Sequence, residues 1–281
     1  MNMRGVVFVL SLLALLPAST SRVRAEQPRD WLLNGAPAGN YAILDYLGAG
    51  AQLSLERRQA FYGGANVFTL NGSTLIGQYS AQAQATASLR VLIFEISGTV
   101  GYRTLWRNLA YERGDDGAYC KDCDRPARRD SDPIFDPTSG HAKYPYAEAG
   151  LGLFLPLNDW MVFGSSFLAH WEDSPARSFD QIYTYLHDGG LMLISETTLM
   201  FKHRDWGGIG PYLQVASLPR DGRHETEVAA GFNALTRVGL IKRNDALVVS
   251  LLARPGDGSY GNHWYFMPAR LIVAYRMSFA L

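Results

Sequence analysis

Large apolar residues recur at every second position through much of the chain, and polar residues of the opposite parity lie between them. From Leu92 to Trp106 the even positions carry Leu92, Phe94, Ile96, Val100, Tyr102 and Trp106, while Glu95, Ser97, Thr99 and Arg103 take odd ones. A side-chain period of two belongs to a strand, so this segment has one apolar and one polar face. Ala147, Ala149, Leu151, Leu153 and Leu155 alternate likewise with Glu148, Gly150, Gly152 and Phe154. So do Val228, Ala230, Phe232, Ala234, Val238 and Leu240 with Glu227, Gly231, Asn233 and Arg237. Thr74 to Arg90 reads as one long strand with Gln78, Gln82, Gln84, Ser88 and Arg90 on one face and Leu75, Tyr79, Ala81 and Leu89 on the other. A helix would need apolar residues three and four apart, and the glutamines would scatter around it.

The last eleven residues, LIVAYRMSFAL, alternate too: Leu271, Val273, Tyr275, Met277, Phe279 and Leu281 share a face opposite Arg276 and Ser278. With this final strand the chain resembles bacterial outer-membrane β-barrel proteins, whose last strand alternates and ends on an apolar or aromatic residue. The resemblance implies an all-β, closed, up-and-down antiparallel barrel in the outer membrane, with lipid and the barrel-assembly machinery as partners. No segment after the N-terminal one is apolar for long enough to form a membrane helix, and strands cross a bilayer only as a closed barrel.

Strands are predicted near 46–57, 60–70, 74–90, 91–107, 143–155, 160–171, 190–203, 208–218, 227–241, 245–254 and 264–281. The list is odd in number where bacterial barrels are even, so about twelve strands are expected, with ten as the alternative and a further strand sought between Trp31 and Asp45. From Asn108 onward long and short connections alternate: a long loop to Lys143, a turn at Pro156–Asp159, a loop from Glu172, a turn at His203–Gly207, a loop at Pro219–Thr226, a turn at Lys242–Asp245 and a loop at Arg254–His263. That segregation suits extracellular loops and periplasmic turns better than a sandwich. Trp106, Trp160, Trp171, Trp206 and Trp264 fall at predicted strand ends, where an aromatic girdle would meet the headgroups.

Arg4, the apolar run Val6–Leu16 and the small-x-small site Val23–Ala25 predict a signal peptide over residues 1–25. A periplasmic segment or plug would follow over 26–45, and the barrel over 46–281. Removing Arg4, Arg22 and Arg24 lowers Lys+Arg from 26 to 23 against 26 Asp+Glu, a formal charge of −3 that gives no reason to propose nucleic acid as a partner.

Little catalytic chemistry is on offer. Cys120 and Cys123, the only cysteines, sit in the longest predicted loop, and in an exported protein they are expected to form a disulfide. No metal set is proposed, because structural zinc takes four ligands and His141 cannot complete one, while the aspartates nearby lack calcium-loop spacing. No cofactor fingerprint appears. Ser166, His170 and Glu148 are the best candidates for a lipid hydrolase, with Glu148 expected opposite Leu168. Ser166 and His170 would nevertheless lie about 13 Å apart on one strand, against the roughly 3 Å that a nucleophile and its base need, so the trio fails as a triad and a Glu148–His170 hydrogen bond in the lumen is expected instead. The expected lumen lining is Glu95, Arg103, Glu148, His170, Glu196, Lys202, Arg237 and Arg276, with Gln82, Gln84 and Asn233, a mixed-sign set that either lines a narrow polar channel or, as is favoured for about twelve strands, pairs across the barrel and fills it. The function expected is a small porin-like channel or a barrel subunit of an envelope assembly with possible envelope protein partners. The alternatives are a lipid-modifying barrel enzyme and a soluble secreted sandwich or lipocalin-like binder.

Overall fold

The computed structural model describes residues 38–46, 50–62, 66–77, 80–105, 108–109, 135–136, 142–174, 178–180, 185–187, 189–203, 207–220, 222–237, 246–253 and 269–281. Twelve of its sixteen strands close into one barrel. In chain order these are β1 (Gly39–Tyr46), β2 (Gly50–Phe61), β3 (Asn66–Gly77), β4 (Ser80–Val91), β5 (Phe94–Leu105), β8 (Ala142–Asn158), β9 (Met161–Glu172), β12 (Gly190–His203), β13 (Gly207–Arg220), β14 (Arg223–Arg237), β15 (Ala246–Ala253) and β16 (Ala269–Ala280). Two short hairpins lie in connections: β6 (Asn108–Leu109) with β7 (Phe135–Asp136), and β10 (Ser178–Asp180) with β11 (Tyr185–His187). All neighbouring barrel strands are antiparallel, and β1 pairs with β16 from Tyr41↔Ala280 to Tyr46↔Tyr275. Each barrel strand therefore has two partners, which is what a lone sheet or a sandwich cannot provide at its edges.

The expected parity survives in most strands. On β5 the even residues Phe94, Ile96, Val100 and Tyr102 are exposed on the outer wall, whereas Arg103 and Thr99 are buried inside. On β8 Leu151 and Leu155 face outward and Tyr144 and Tyr146 inward. Val228 and Phe232 on β14, and Val273 on β16, are likewise exposed.

Three expectations require correction. The barrel begins at Gly39, not at residue 46, so part of the segment assigned as a periplasmic plug is the missing twelfth strand. Thr74 to Arg90 is not one strand: β3 ends at Gly77 and β4 starts at Ser80. Because Ile76 pairs with Ala81, an even position faces the same way as an odd one across this hairpin. Leu75 is consequently inside the barrel and 2% exposed, although the alanines that seemed to share its face point outward. The alanines of β4 are poor strand formers, yet β4 is held by full ladders to β3 and β5, so tertiary pairing outweighs propensity. Lastly, the loop expected at Pro219–Thr226 is a tight hairpin in which the ladder runs to Arg220↔Arg223.

The strand ends that flank 47–49, 78–79, 106–141, 173–189, 221–222 and 254–268 are at one end of the barrel, and those that flank 62–65, 92–93, 159–160, 204–206 and 238–245 at the other. The three longest connections leave from the first end, called here the loop end. At the opposite end Leu92 takes a positive φ of 56°, a region that favours glycine, and its N–H is held by Asn66 Oδ1 at 3.2 Å. Inside the wall near the loop end, Met192, Ile194, Ala216 and Leu218 are fully buried together, with Leu168 packed against them. Part of the lumen is thus apolar and filled, a departure from a uniformly polar lining.

Closure predicts a cross-link. Ile43 and Ser278 are directly paired across the β1–β16 seam. With Cys120 and Cys123 replaced by serine, the Ile43→Cys/Ser278→Cys double variant should oxidise to a species of altered mobility on a denaturing gel that reverts on reduction. Recovery of free thiols after oxidation would show that the seam is open.

Candidate functional site in the barrel lumen

Adjacent strands place their inward side chains at matched heights, so a chemistry-bearing cluster can be read along the ladder. Arg103 stands opposite Tyr144, Gly101 opposite Tyr146, and Tyr146 opposite Glu172. Glu148 stands opposite His170, not opposite Leu168 as expected, because the hairpin turns at Asp159 and Trp160, later than the 157–158 centre the expectation assumed. The two residues meet directly, with His170 Nδ1 2.8 Å from Glu148 Oε1.

The centre of this cluster is Glu172, which is fully buried. Its Oε2 accepts from Arg103 Nη1 at 3.0 Å and lies 3.0 Å from His170 Nε2, while His187 Nε2 is 3.2 Å from Oε1. His170 therefore has a carboxylate against each ring nitrogen. A neutral imidazole has only one N–H, so the pair of contacts is complete only in the imidazolium form. His187 differs: its Nδ1 accepts the Gly189 N–H at 3.1 Å, which leaves the proton for Nε2, facing Glu172. Arg103 and His170 then balance Glu148 and Glu172, which is the condition under which buried charges are tolerated.

Aromatic packing fixes the geometry. Tyr146 lies across Gly101, where a Cβ would overlap its ring, and its hydroxyl donates to Gln84 Oε1 on β4. A glycine under an aromatic ring lets one side chain bridge three strands. The Arg103 guanidinium sits 5.1 Å from the Tyr146 centroid and donates through Nε to Gln82 Oε1 at 3.2 Å. His170 stacks on the same tyrosine at 5.5 Å and 19°. The result is a wedge that fills the lumen along β4, β5, β8 and β9 near the loop end, with His187 brought in from the 173–189 connection.

A second cluster surrounds Glu196. Gln214 Nε2 donates to Glu196 Oε1 at 2.8 Å, Tyr212 donates to the same oxygen, and Ser166 Oγ is 3.5 Å from Oε2. At the seam, Arg276 Nε and Nη2 grip Asp45 Oδ1 and Oδ2 at 2.7 and 2.9 Å.

The expected lining residues thus divide. Arg103, Glu148 and His170 are brought together, Glu196 and Arg276 belong to separate clusters, and Glu95 lines a cavity described below. Lys202 lies on the inward parity of β12 near the opposite end, and Arg237 is described only as the backbone partner of Ala246. Trp160 and Trp171 are exposed at opposite ends of β9, and Trp160 stacks on Phe201 at 5.9 Å. Trp106, Trp206, Trp264, Cys120, Cys123 and the signal peptide lie outside the described residues. Glu172, Tyr146, Gln214 and Asp45 were not anticipated. Tyr146 and Glu172 share the parity of Glu148 and His170, so carrying the alternation to the strand ends would have found them. Ser166 turns to Glu196 and His170 is held between carboxylates, so no nucleophile–base pair forms from the expected trio.

No protein-family model and no curated protein matches the chain. Among solved structures it is similar to the NanC porin, at 9% identity over 86% of this chain and 99% of that one with a TM-score of 0.36. It is similar also to the KdgM porin in complex with disordered oligogalacturonate, at 9% identity over 85% and 98% with a TM-score of 0.41. A third is BamA from Haemophilus ducreyi lacking POTRA domains 1–3, at 10% identity over 86% and 70% with a TM-score of 0.40.

The wedge predicts a large stability effect. Glu172→Leu leaves Arg103 and His170 without their shared partner, a loss of about 3–5 kcal/mol. Urea unfolding of the folded protein in detergent should show it, and an Arg103→Met/Glu172→Leu double variant should recover part of it.

Proposed function

We propose that this chain is an outer-membrane β-barrel protein of a Gram-negative envelope that acts as a small channel with a partly plugged lumen. One observation carries the reading: the barrel is apolar outside and charged inside. Phe94, Ile96 and Val100 are 60%, 60% and 64% exposed, whereas His170, Glu172 and Gln214 are wholly buried. A water-soluble fold would gain nothing from showing such a wall to solvent, but hydrocarbon accepts it. Trp160 and Trp171 support the same placement, since each sits where an indole would meet a headgroup layer. Lipid is then the first partner and the barrel-assembly machinery the expected one during biogenesis. The signal peptide over 1–25 and a Cys120–Cys123 bridge fit that compartment.

A route for solutes is favoured on the side away from the wedge. Arg276 shares the inward face with Asp45, yet its side chain is 54% exposed while that of Asp45 is 8% exposed. On this reading solutes pass beside the exposed Arg276, opposite the wall that holds the wedge and the apolar cluster, although Tyr41, Ile43 and Asp45 of β1 are buried and narrow the passage. The loop end corresponds to the cell exterior, where barrels carry their long connections, and the short turns to the periplasm.

Two outcomes are expected. Leu151→Arg places a charge on the lipid-facing wall and should cost on the order of 2–4 kcal/mol near the midplane, lowering the fraction that resists heat on an unboiled gel. In planar bilayers the wild type should give small unitary currents, and the Arg103→Ala/Glu172→Ala double variant currents several-fold larger. Absence of any unitary current from either protein would count against the channel.

A further inference from the structure

A cavity of about 200 Å³ opens on the lumen below the wedge. Its floor is one row of the ladder, Glu95↔Gly152, Gly152↔Ser166 and Ser166↔Glu196, which runs across β5, β8, β9 and β12. The two middle positions carry no more than a hydroxymethyl group, so the wall is recessed there and a carboxylate stands at each end. Three strand spacings separate the two carboxylate-bearing strands, roughly 14 Å along the wall, and inward side chains shorten that span. Phe154 borders the recess on one side and Leu168 and Ile194 on the other.

The charge of this recess differs from that of its surroundings. In the wedge, Glu148 and Glu172 meet His170 and Arg103; at the seam Asp45 meets Arg276; on β2, Glu56 meets Arg58. Among the described residues, no lysine, arginine or histidine lines the cavity. Arg90 is the ladder partner of Glu95 on β4 but is not part of the lining. Glu196 is aimed by neutral donors, Tyr212, Gln214 and Ser166, which orient its carboxylate without cancelling its charge.

We propose that this recess binds a small aliphatic amine, best a linear diamine whose ammonium groups meet Glu95 and Glu196 while its methylenes lie between Phe154 and the Leu168–Ile194 edge. Carboxylates at both ends supply charge-assisted acceptors, and the apolar borders supply area for a short hydrocarbon. The volume is below the roughly 300–1,000 Å³ of sites for drug-sized molecules, which suits a ligand of this size. The site rests on the channel reading, in that solutes must enter the lumen to reach it.

The test is calorimetric titration of the full-length folded protein in detergent with 1,5-diaminopentane, and separately with hexanoate, at one ionic strength. Saturable binding of the diamine and none of hexanoate is expected, with Glu95→Gln and Glu196→Gln each weakening it about tenfold, equivalent to about 1.4 kcal/mol. Should Glu196→Gln fail to assemble, Glu95→Gln decides, since none of the clusters described above uses its carboxylate. Lack of saturation, equal binding of hexanoate, or affinity unchanged by Glu95→Gln overturns the site. Saturable diamine binding without bilayer currents would remove the channel and keep the site, whereas currents without binding would do the reverse.

Discussion

Pairing of β1 with β16 is the constraint on which everything else depends. It turns twelve strands into a surface without an edge, so the described barrel strands find ladder partners on both sides. Once the wall is closed, the period of two sorts every side chain to the inside or the outside. Apolar residues can cover the outer wall only because no backbone group there needs water. The same closure confines the inward polar residues to a narrow space, where they must pair with one another.

The lumen shows how that confinement is met. Arg103, Glu148, His170 and Glu172 balance in charge and are locked by Tyr146, whose ring needs the bare backbone of Gly101. Met192, Ile194, Ala216 and Leu218 fill the neighbouring wall with apolar contacts. Beside them the recess between Glu95 and Glu196 stays unfilled. The interior is filled by the charged wedge and the apolar cluster on one wall, while on the opposite side the inward Tyr41, Ile43 and Asp45 of β1 are buried and Arg276 of β16 is exposed.

Much of this fold was legible in the residues, because alternation over Phe94–Tyr102, Ala147–Leu155 and Val228–Phe232 leaves one face for the outside. What misled was punctuation. Gln78 and Tyr79 continue the alternation between β3 and β4 in sequence, so the hairpin hides, and Leu75 changes sides without any change in its own neighbourhood. The first strand was obscured for a related reason: Gly39–Tyr46 is short, and its inward Tyr41, Ile43 and Asp45 do not separate cleanly by polarity from its outward residues. Within the site, the Glu148–His170 contact was legible from their shared inward parity, but the ladder partner of Glu148 was misplaced because the hairpin turns at Asp159 and Trp160, and periodicity alone does not report where a turn falls. His187 comes from a connection, and no pattern marks it.

The most direct test of the account is a nitroxide scan of β5, one label at a time from Phe94 to Leu105, in protein reconstituted into lipid bilayers. Oxygen accessibility should peak at residues 94, 96, 98, 100 and 102, and accessibility to a polar nickel reagent should stay low there, because these positions face hydrocarbon. The odd positions should show the opposite or show burial against both reagents. A flat profile, or oxygen peaks at the odd positions, would contradict a lipid-facing wall and with it the membrane barrel.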